Sequence, residues 1–440
     1  VNGNVSTCTT IVTVEDNVAP VAICQDVTVQ LDATGNGSTT ATAVNNGSSD
    51  ACGIASIVLS QTAFNCSEVG GNTETLTVTD VNGNVSTCTT IVTVEDNVAP
   101  VAICQDVTVQ LDANGNGSTT ATIVDNGSSD ACGIASLVLS QTAFNCSEVG
   151  VNAEILTVTD INGNVSTCST TVTVEDNVAP VAICQDVTVQ LDATGNGSTT
   201  ASAVDNGSSD ACGIASLVLS QTNFACSEVG TNTETLTVTD VNGNVTTCTT
   251  TITVEDNVAP VAICQDVTVQ LDATGTGSTT AAAVNNGSSD ACGIASIVLS
   301  QTTFGCSEVG SNIETLTVTD VNGNVSTCTA TITVEDNVAP VATCQNVTVQ
   351  LDEFGFGATT AVEVDNGSTD ACGLLPQCPP SGPMVACLSG LMLDKSVFDC
   401  SEIGSNTVTL TVTDQHYNSS TCTSIVTVED NIAPVAICQD

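Results

Sequence analysis

Cysteines and loop oxygens are the residues of this 440-residue chain that could do chemistry. The 24 cysteines recur in fours, as at Cys24, Cys52, Cys66 and Cys88. A zinc site needs closely spaced Cys or His pairs. These spacings hold no C-x2-C pair and no histidine, so the thiols read as disulfide partners in an oxidising compartment. Oxygen-bearing side chains cluster at Asp80, Asn82 and Asn84 in "DVNGN", and at Glu95, Asp96 and Asn97 in "EDN". Carboxylate and amide oxygens in loops suit Ca2+. The competing reading is that Asp and Asn close Asx turns and that Asn82-Gly83 makes a hairpin. His416, the one histidine, stands in "DQHYN" where other repeats read "DVNGN", and reads as decoration of a varied surface turn. No Ser/His/Asp set, Cys/His pair or phosphate loop is recognisable, and no enzyme activity is expected.

Charge narrows the partners. The chain has 48 acidic residues against a single lysine, Lys395, for a net charge of −47. Nothing in it can neutralise nucleic-acid phosphate, and an anionic membrane surface would repel it. Such charge keeps copies soluble and apart unless cations screen it. No run in this segment is apolar enough to cross a membrane, and no signal peptide is recognisable.

Chemistry at a fixed spacing needs elements at a fixed spacing. "EDNVAPVAICQD" occurs at 15–26, 95–106, 175–186 and 255–266, with variants at 335–346 and 429–440. The step is 80 residues four times and then 94. Units of this length are small domains in tandem rather than solenoid repeats. The expected boundaries are 17–96, 97–176, 177–256, 257–336 and 337–430. Residues 1–16 are expected to be the C-terminal strand or strands of a preceding repeat, and 431–440 the first strand of a following one.

Within a unit the pattern is all β. "DVTVQLD" (26–32) turns Val27, Val29 and Leu31 inward, "TLTVTD" (75–80) alternates Leu76 and Val78 with threonines, and "CTTIVTV" (88–94) lines up Cys88, Thr90, Val92 and Val94. Period-2 alternation of Val and Thr marks half-buried strands. No helical stretch with caps is visible. Six or seven short strands in 80 residues, without tryptophan, predict a disulfide-stapled immunoglobulin-like β-sandwich. Only "NVA" separates one unit from the next, and Pro20, Pro100, Pro180, Pro260 and Pro340 fix φ at each entry. Short, stiff joints predict an elongated rod.

The order Asp-x-x-x-Pro-x-x-x-Cys, "VTVQLD", "DACG" and "LTVTDVNGNVSTCTTIVTVED" resembles the hyalin repeat, or HYR module, over nearly the whole chain. It looks most like the cysteine-rich versions in very long surface proteins of Bacteroidetes, including adhesins and filaments exported by type IX secretion. The resemblance implies an extracellular, cell-surface, adhesive or structural role without catalysis.

Four cysteines allow three pairings. The favoured one joins the first strand to the last, Cys24–Cys88, Cys104–Cys168, Cys184–Cys248, Cys264–Cys328 and Cys344–Cys422. It leaves Cys52–Cys66, Cys132–Cys146, Cys212–Cys226, Cys292–Cys306 and Cys372–Cys400. The rival is a hairpin bridge, Cys88–Cys104, which would put Pro100 inside a paired strand. The favoured pairing strands Cys8 and Cys438, as if the segment were an excerpt of a longer array. The last repeat carries an insert at about 374–393, for which a private Cys378–Cys387 bridge is expected. Its Leu374, Leu375, Met384, Val385, Leu391 and Met392 form either a contact patch for another chain or a loop folded on its own domain. The expected function is the structural repeat region of a secreted filament or adhesin stalk that attaches to surfaces or other cells. Its partners would be copies of itself in a filament bundle and a target ligand. The alternative is a multivalent module binding glycan, or binding through calcium.

Overall fold

A computed structural model describes residues 2–376 and 390–433. It divides into two compact units, one of 1–185, 205–220 and 235–249, the other of 186–204, 221–234 and 250–440. Each is built from repeats of one all-β plan.

The repeat at 17–96, in the first unit, shows the plan. Its elements are β1 (Val27–Gln30), β2 (Asn36–Ser38), α1 (Ala41–Val44), β3 (Ile54–Leu59), β4 (Ala63–Asn65), a 3-10 turn (Cys66–Glu68), β5 (Gly70–Asp80) and β6 (Val85–Glu95). β5 and β6 form the long hairpin about Asn82-Gly83. The four-stranded sheet has the order β1-β6-β5-β3, with β1 parallel to β6 and β3 antiparallel to β5 at an edge. β2 and β4 make a separate two-stranded ribbon, with Gly37 opposite Phe64.

One face of the sheet is the core. Val29 and Leu31 meet Val92, Val94 and the ribbon's Phe64. Leu76 and Val78 meet Leu59 and Val44 of α1. Burying each such side chain contributes roughly 1.5–3 kcal/mol. Gly37 permits the ribbon to close down, because a Cβ there would lie 2.5 Å from Val29 Cγ1. Outward threonines complete the alternation expected from the sequence.

α1 corrects the expectation of no capped helix. Thr40 caps it by accepting from the Ala43 amide at 3.1 Å. A single turn is too short to show helical periodicity. Residues 2–19 contain no strand, contrary to expectation. The equivalent β6 is held by β5 and β1, and this sequence has no counterpart of either ahead of residue 17. The expected strand at 431–440 falls largely outside the described residues.

In the second unit the repeat at 337–430 keeps the core positions and splits the edge strand. Leu374 bridges Asp414 as Ile54 pairs with Asp80, and Leu391, Met392 and Leu393 then resume the ladder on Val412, Thr411 and Leu410. In regular repeats the register slips between Ile54 and Ser56. The insert enters the chain at that β-bulge, where the ladder is already broken. Leu391 is buried, and Leu374 packs against the same core. Both therefore belong to their own domain, which corrects their assignment to a contact patch. Leu375 is half-buried and Met392 is 58% exposed. Met384, Val385 and the expected Cys378–Cys387 bridge lie outside the described residues. Lys395 pairs with Glu402 and sits 5.2 Å from the Phe398 ring centroid.

Candidate functional site at the joint between repeats

The cysteines organise the joint. Cys24 is bonded to Cys88, with Cα atoms 5.9 Å apart, and Cys104–Cys168, Cys184–Cys248, Cys264–Cys328 and Cys344–Cys422 follow the same rule. Each of these closes one repeat. The second set crosses from one repeat to the next: Cys66–Cys132, Cys146–Cys212, Cys226–Cys292 and Cys306–Cys372. This corrects the expected Cys52–Cys66, Cys132–Cys146, Cys212–Cys226, Cys292–Cys306 and Cys372–Cys400. The reason is geometric. β3 lies between Cys52 and Cys66, and six strand residues span about 20 Å. A disulfide requires Cα atoms within about 7 Å. Cys66 and Cys132 meet that requirement at 5.1 Å. Disulfide-rich domains of this kind are extracellular.

Free cysteines among the described residues are Cys8, Cys52 and Cys400. Cys52 is hydrogen-bonded to the Asp16 carboxylate, which with that residue's charge pushes the thiol above its ordinary range.

Cys66 opens its 3-10 turn, capped by Asn65 and Glu68 in a reciprocal box. Cys132 follows Asp130, whose carboxylate accepts from the Cys132 amide at 2.8 Å. Between the two repeats Gly35 fits only as glycine. Its φ is +74°, and a Cβ would lie 2.6 Å from Cys66 Sγ and 3.1 Å from Ala131.

The "DVNGN" turn is the other half of the joint. Asp160 accepts from the backbone amides of Asn162 and Asn164, both at 2.8 Å, and from Asn164 Nδ2 at 2.8 Å. Asn164 Nδ2 also donates to the main-chain oxygen of Asp96, in the preceding repeat, at 2.9 Å. Asn84 does the same for Asp16, and Asn244 for Asp176. Asp80, Asn82 and Asn84 are thus an Asx turn that grips the joint before its own repeat. At Asp240 burial raises the carboxyl pKa, and the Asn244 side chain and neighbouring amides overcome it, holding the group below its ordinary value.

Glu95 and Asn97 face elsewhere. Gln30 Nε2 donates to Glu95 at 2.7 Å, and Asn97 donates to Gln30 Oε1 at 2.6 Å, all at the surface. Asp96 differs from both. Its Oδ1 accepts from the Val98 amide at 3.1 Å, but Oδ2 is buried and has no hydrogen-bond partner among the described residues. Asp176 and Asp256 repeat this arrangement. Ligand atoms of Asp96, Asp130 and Cys132 lie within 4.8 Å of one another, as do those of Asp176, Asp210 and Cys212, and of Asp256, Asp290 and Cys292. Asp130 and its equivalents escaped sequence reasoning. The 80-residue beat of "DACG" was visible, but nothing local placed it beside the preceding repeat's Asp96.

His416 also belongs to a joint. It occupies the position of Asn82, and its Nδ1 stands 3.0 Å from Asp336 Oδ2. This corrects its reading as surface decoration, because the partner lies 80 residues away in the preceding repeat.

No known family signature matches the chain. It is similar to hyalin of Strongylocentrotus purpuratus, 29% identical over 322 residues, covering 69% of this chain and 27% of hyalin. The chain thus spans about a quarter of that relative's length. Among solved structures it is similar to the protocadherin GammaB4 extracellular domain, with 14% identity, 88% of this chain, 74% of that chain and a TM-score of 0.28. It is also similar to the human desmocollin-1 ectodomain, with 12% identity, 83% and 87% coverage and a TM-score of 0.20.

Proposed function

We propose that this chain is the structural repeat region of a secreted filament or adhesin stalk, without catalysis, which carries attachment to a surface or another cell. The observation that carries it is the double staple. One disulfide closes each repeat, and a second fastens it to its neighbour. Under tension the closing bridge takes the pull from first strand to last. Only the 16 residues from Cys88 to Cys104 remain extensible between successive bridges. Those residues reach about 5–6 nm when fully extended, against about 26–29 nm for a whole repeat. The crossing bridge resists bending at the joint. Both suit a tether, and the similarity to hyalin over 322 residues agrees with an extracellular repeat region.

We place the domain boundaries at 17–96, 97–176, 177–256, 257–336 and 337–430. Copies of the chain are proposed as lateral partners in a bundle. The edge strand β3 presents unpaired backbone groups and the exposed Val58, with Val138, Val218 and Val298 in the same place. Single-molecule stretching tests the proposal. Oxidised protein should lengthen by the short steps, and reductant should convert them to the long ones. Long steps without reductant would end the stalk reading.

A further inference from the structure

We propose that each regular joint is a calcium site. Its ligands are the buried Asp of one repeat and the Asp and Asn that the next repeat brings to it. They are Asp96 with Asp130 and Asn162, Asp176 with Asp210 and Asn242, and Asp256 with Asp290 and Asn322. Asp96, Asp176 and Asp256 are each 6% exposed, and in all three Oδ2 is buried without a protein donor. Burying a carboxylate oxygen without a partner is unfavourable, because it loses its hydration and gains nothing in return. The regular repeats hold no lysine or arginine to neutralise it, since Lys395 of the last repeat is the only lysine and the chain has no arginine. A cation from solvent is the available counter-charge.

The ligand chemistry selects the ion. Cys132, Cys212 and Cys292 lie within the clusters, but each is held in a disulfide and offers no thiolate. What remains is oxygen. Asn242 adds a buried Oδ1 that also lacks a donor. Carboxylate oxygens from two repeats, joined by the amide of the asparagine that stands where His416 reaches Asp336, would make an irregular shell. Ca2+ accepts such a shell, while Mg2+ demands near-octahedral geometry.

The fourth joint supplies the second observation. There the aspartate is Asp336, grouped with Cys372 and with His416 in the asparagine position, and the sequence counterpart of the loop carboxylate is Asp370. His416 Nδ1 faces Asp336 Oδ2 at 3.0 Å and supplies the donor that the other three lack. Asp336 Oδ2 is correspondingly satisfied. The last repeat carries its own substitute for the ion.

Equilibrium dialysis of the oxidised chain against calcium chloride, in about 0.15 M salt, tests this. Saturable binding is expected on the order of 0.1–1 mM, the range of extracellular modules. The combined variant Asp96→Asn, Asp176→Asn and Asp256→Asn should lose three equivalents. His416→Asn, which gives the last joint the residue of the others, should gain one. Magnesium chloride at equal concentration should displace little of the calcium. Melting curves keep the result readable: calcium should raise the wild-type melting temperature, and should raise that of the triple variant less. Unchanged stoichiometry in the triple variant would mean diffuse counterion binding and would overturn the proposal. So would no gain in His416→Asn with its disulfides intact, or full displacement by magnesium. The test is independent of the stalk reading, which mechanical stretching decides.

Discussion

In the repeats entered from Asp96, Asp176 and Asp256 a buried carboxylate oxygen waits at the joint, whereas Asp336 meets His416. The next residue differs too. Gly83, Gly163, Gly243 and Gly323 all have positive φ, and Tyr417, 68% exposed, takes their place at φ 71°. β3 is continuous in the regular repeats and divided by the insert in the last. Yet Val349, Leu351, Val364, Phe398, Leu410, Val412, Val426 and Val428 fill the positions of Val29, Leu31, Val44, Phe64, Leu76, Val78, Val92 and Val94. Buried polar positions do change, and Ser424 stands where Thr90 does. Glu154, buried and bonded to the Ser140 hydroxyl, has Val408 as its counterpart. The plan therefore tolerates change in a turn, at a strand edge and among buried polar side chains, while the apolar packing changes little. Close packing admits only small volume changes, such as Ile252 and Ile332 at the position of Val92, and an edge bulge leaves ample room.

The largest contrast should come from the two classes of disulfide. Removing Cys104–Cys168 with alanines opens a 64-residue loop and should destabilise that repeat by about 4 kcal/mol. Removing Cys146–Cys212 should leave the melting of each repeat closer to wild type and instead expose the joint to proteolysis. Equal melting losses from both would erase the distinction between closing and crossing bridges.

Next comes the edge of the last repeat. Leu391→Ala should cost about 2–3 kcal/mol by denaturant unfolding, since Leu391 is core. Met392→Ala should stay within about 0.5 kcal/mol. A larger loss for Met392 would reverse the assignment. Deleting 376–389 restores the spacing of a regular repeat, and loop length alters stability only slowly. A change under about 1 kcal/mol is expected. Collapse of the repeat would show that the insert supports the fold.

The smallest effect concerns acid. The Thr194 hydroxyl, then the amides of Asn196 and Thr194, hold the Asp192 carboxyl below its ordinary value. Thr274 likewise heads the donors to Asp272. A carboxyl lowered in the fold binds fewer protons there than in the unfolded chain. Its contribution is complete above the unfolded value, near pH 4, and is lost as pH falls through the folded value. Thr194→Val should flatten that loss in melting curves. Phe354 stands at this position in the last repeat, so Phe354→Thr supplies the donor and should steepen it. No change in either variant would remove the threonine from the account.

Much of the fold could be read from residue order. The alternation of Val27, Val29 and Leu31, or of Leu76 and Val78, depends on a period of two that survives in sequence. The Asn82-Gly83 hairpin depends on one local φ. α1 did not show, because four residues carry no period and its Thr40 cap lies within a threonine-rich run. The oxygen clusters were visible as composition, but not their roles. Asp80 and Asn84 spend their groups on the turn and the joint, Glu95 and Asn97 on Gln30, while Asp96 keeps a buried oxygen without a partner, as does Asn242 at the position of Asn82.

By itself the sequence determined the 80-residue unit, its β character, its oxidising compartment and its want of counter-charge, since each follows from counting or from local stereochemistry. Tertiary structure decided which cysteines meet and what surrounds Asp96. Cys52 and Cys66 are near in the chain but separated by the length of a rigid strand. Cys66 and Cys132 are remote in the chain, yet the stacking of one repeat on the next brings their Cα atoms to 5.1 Å. A disulfide and a buried carboxylate both respond to distance in space, and separation along the chain does not give that distance.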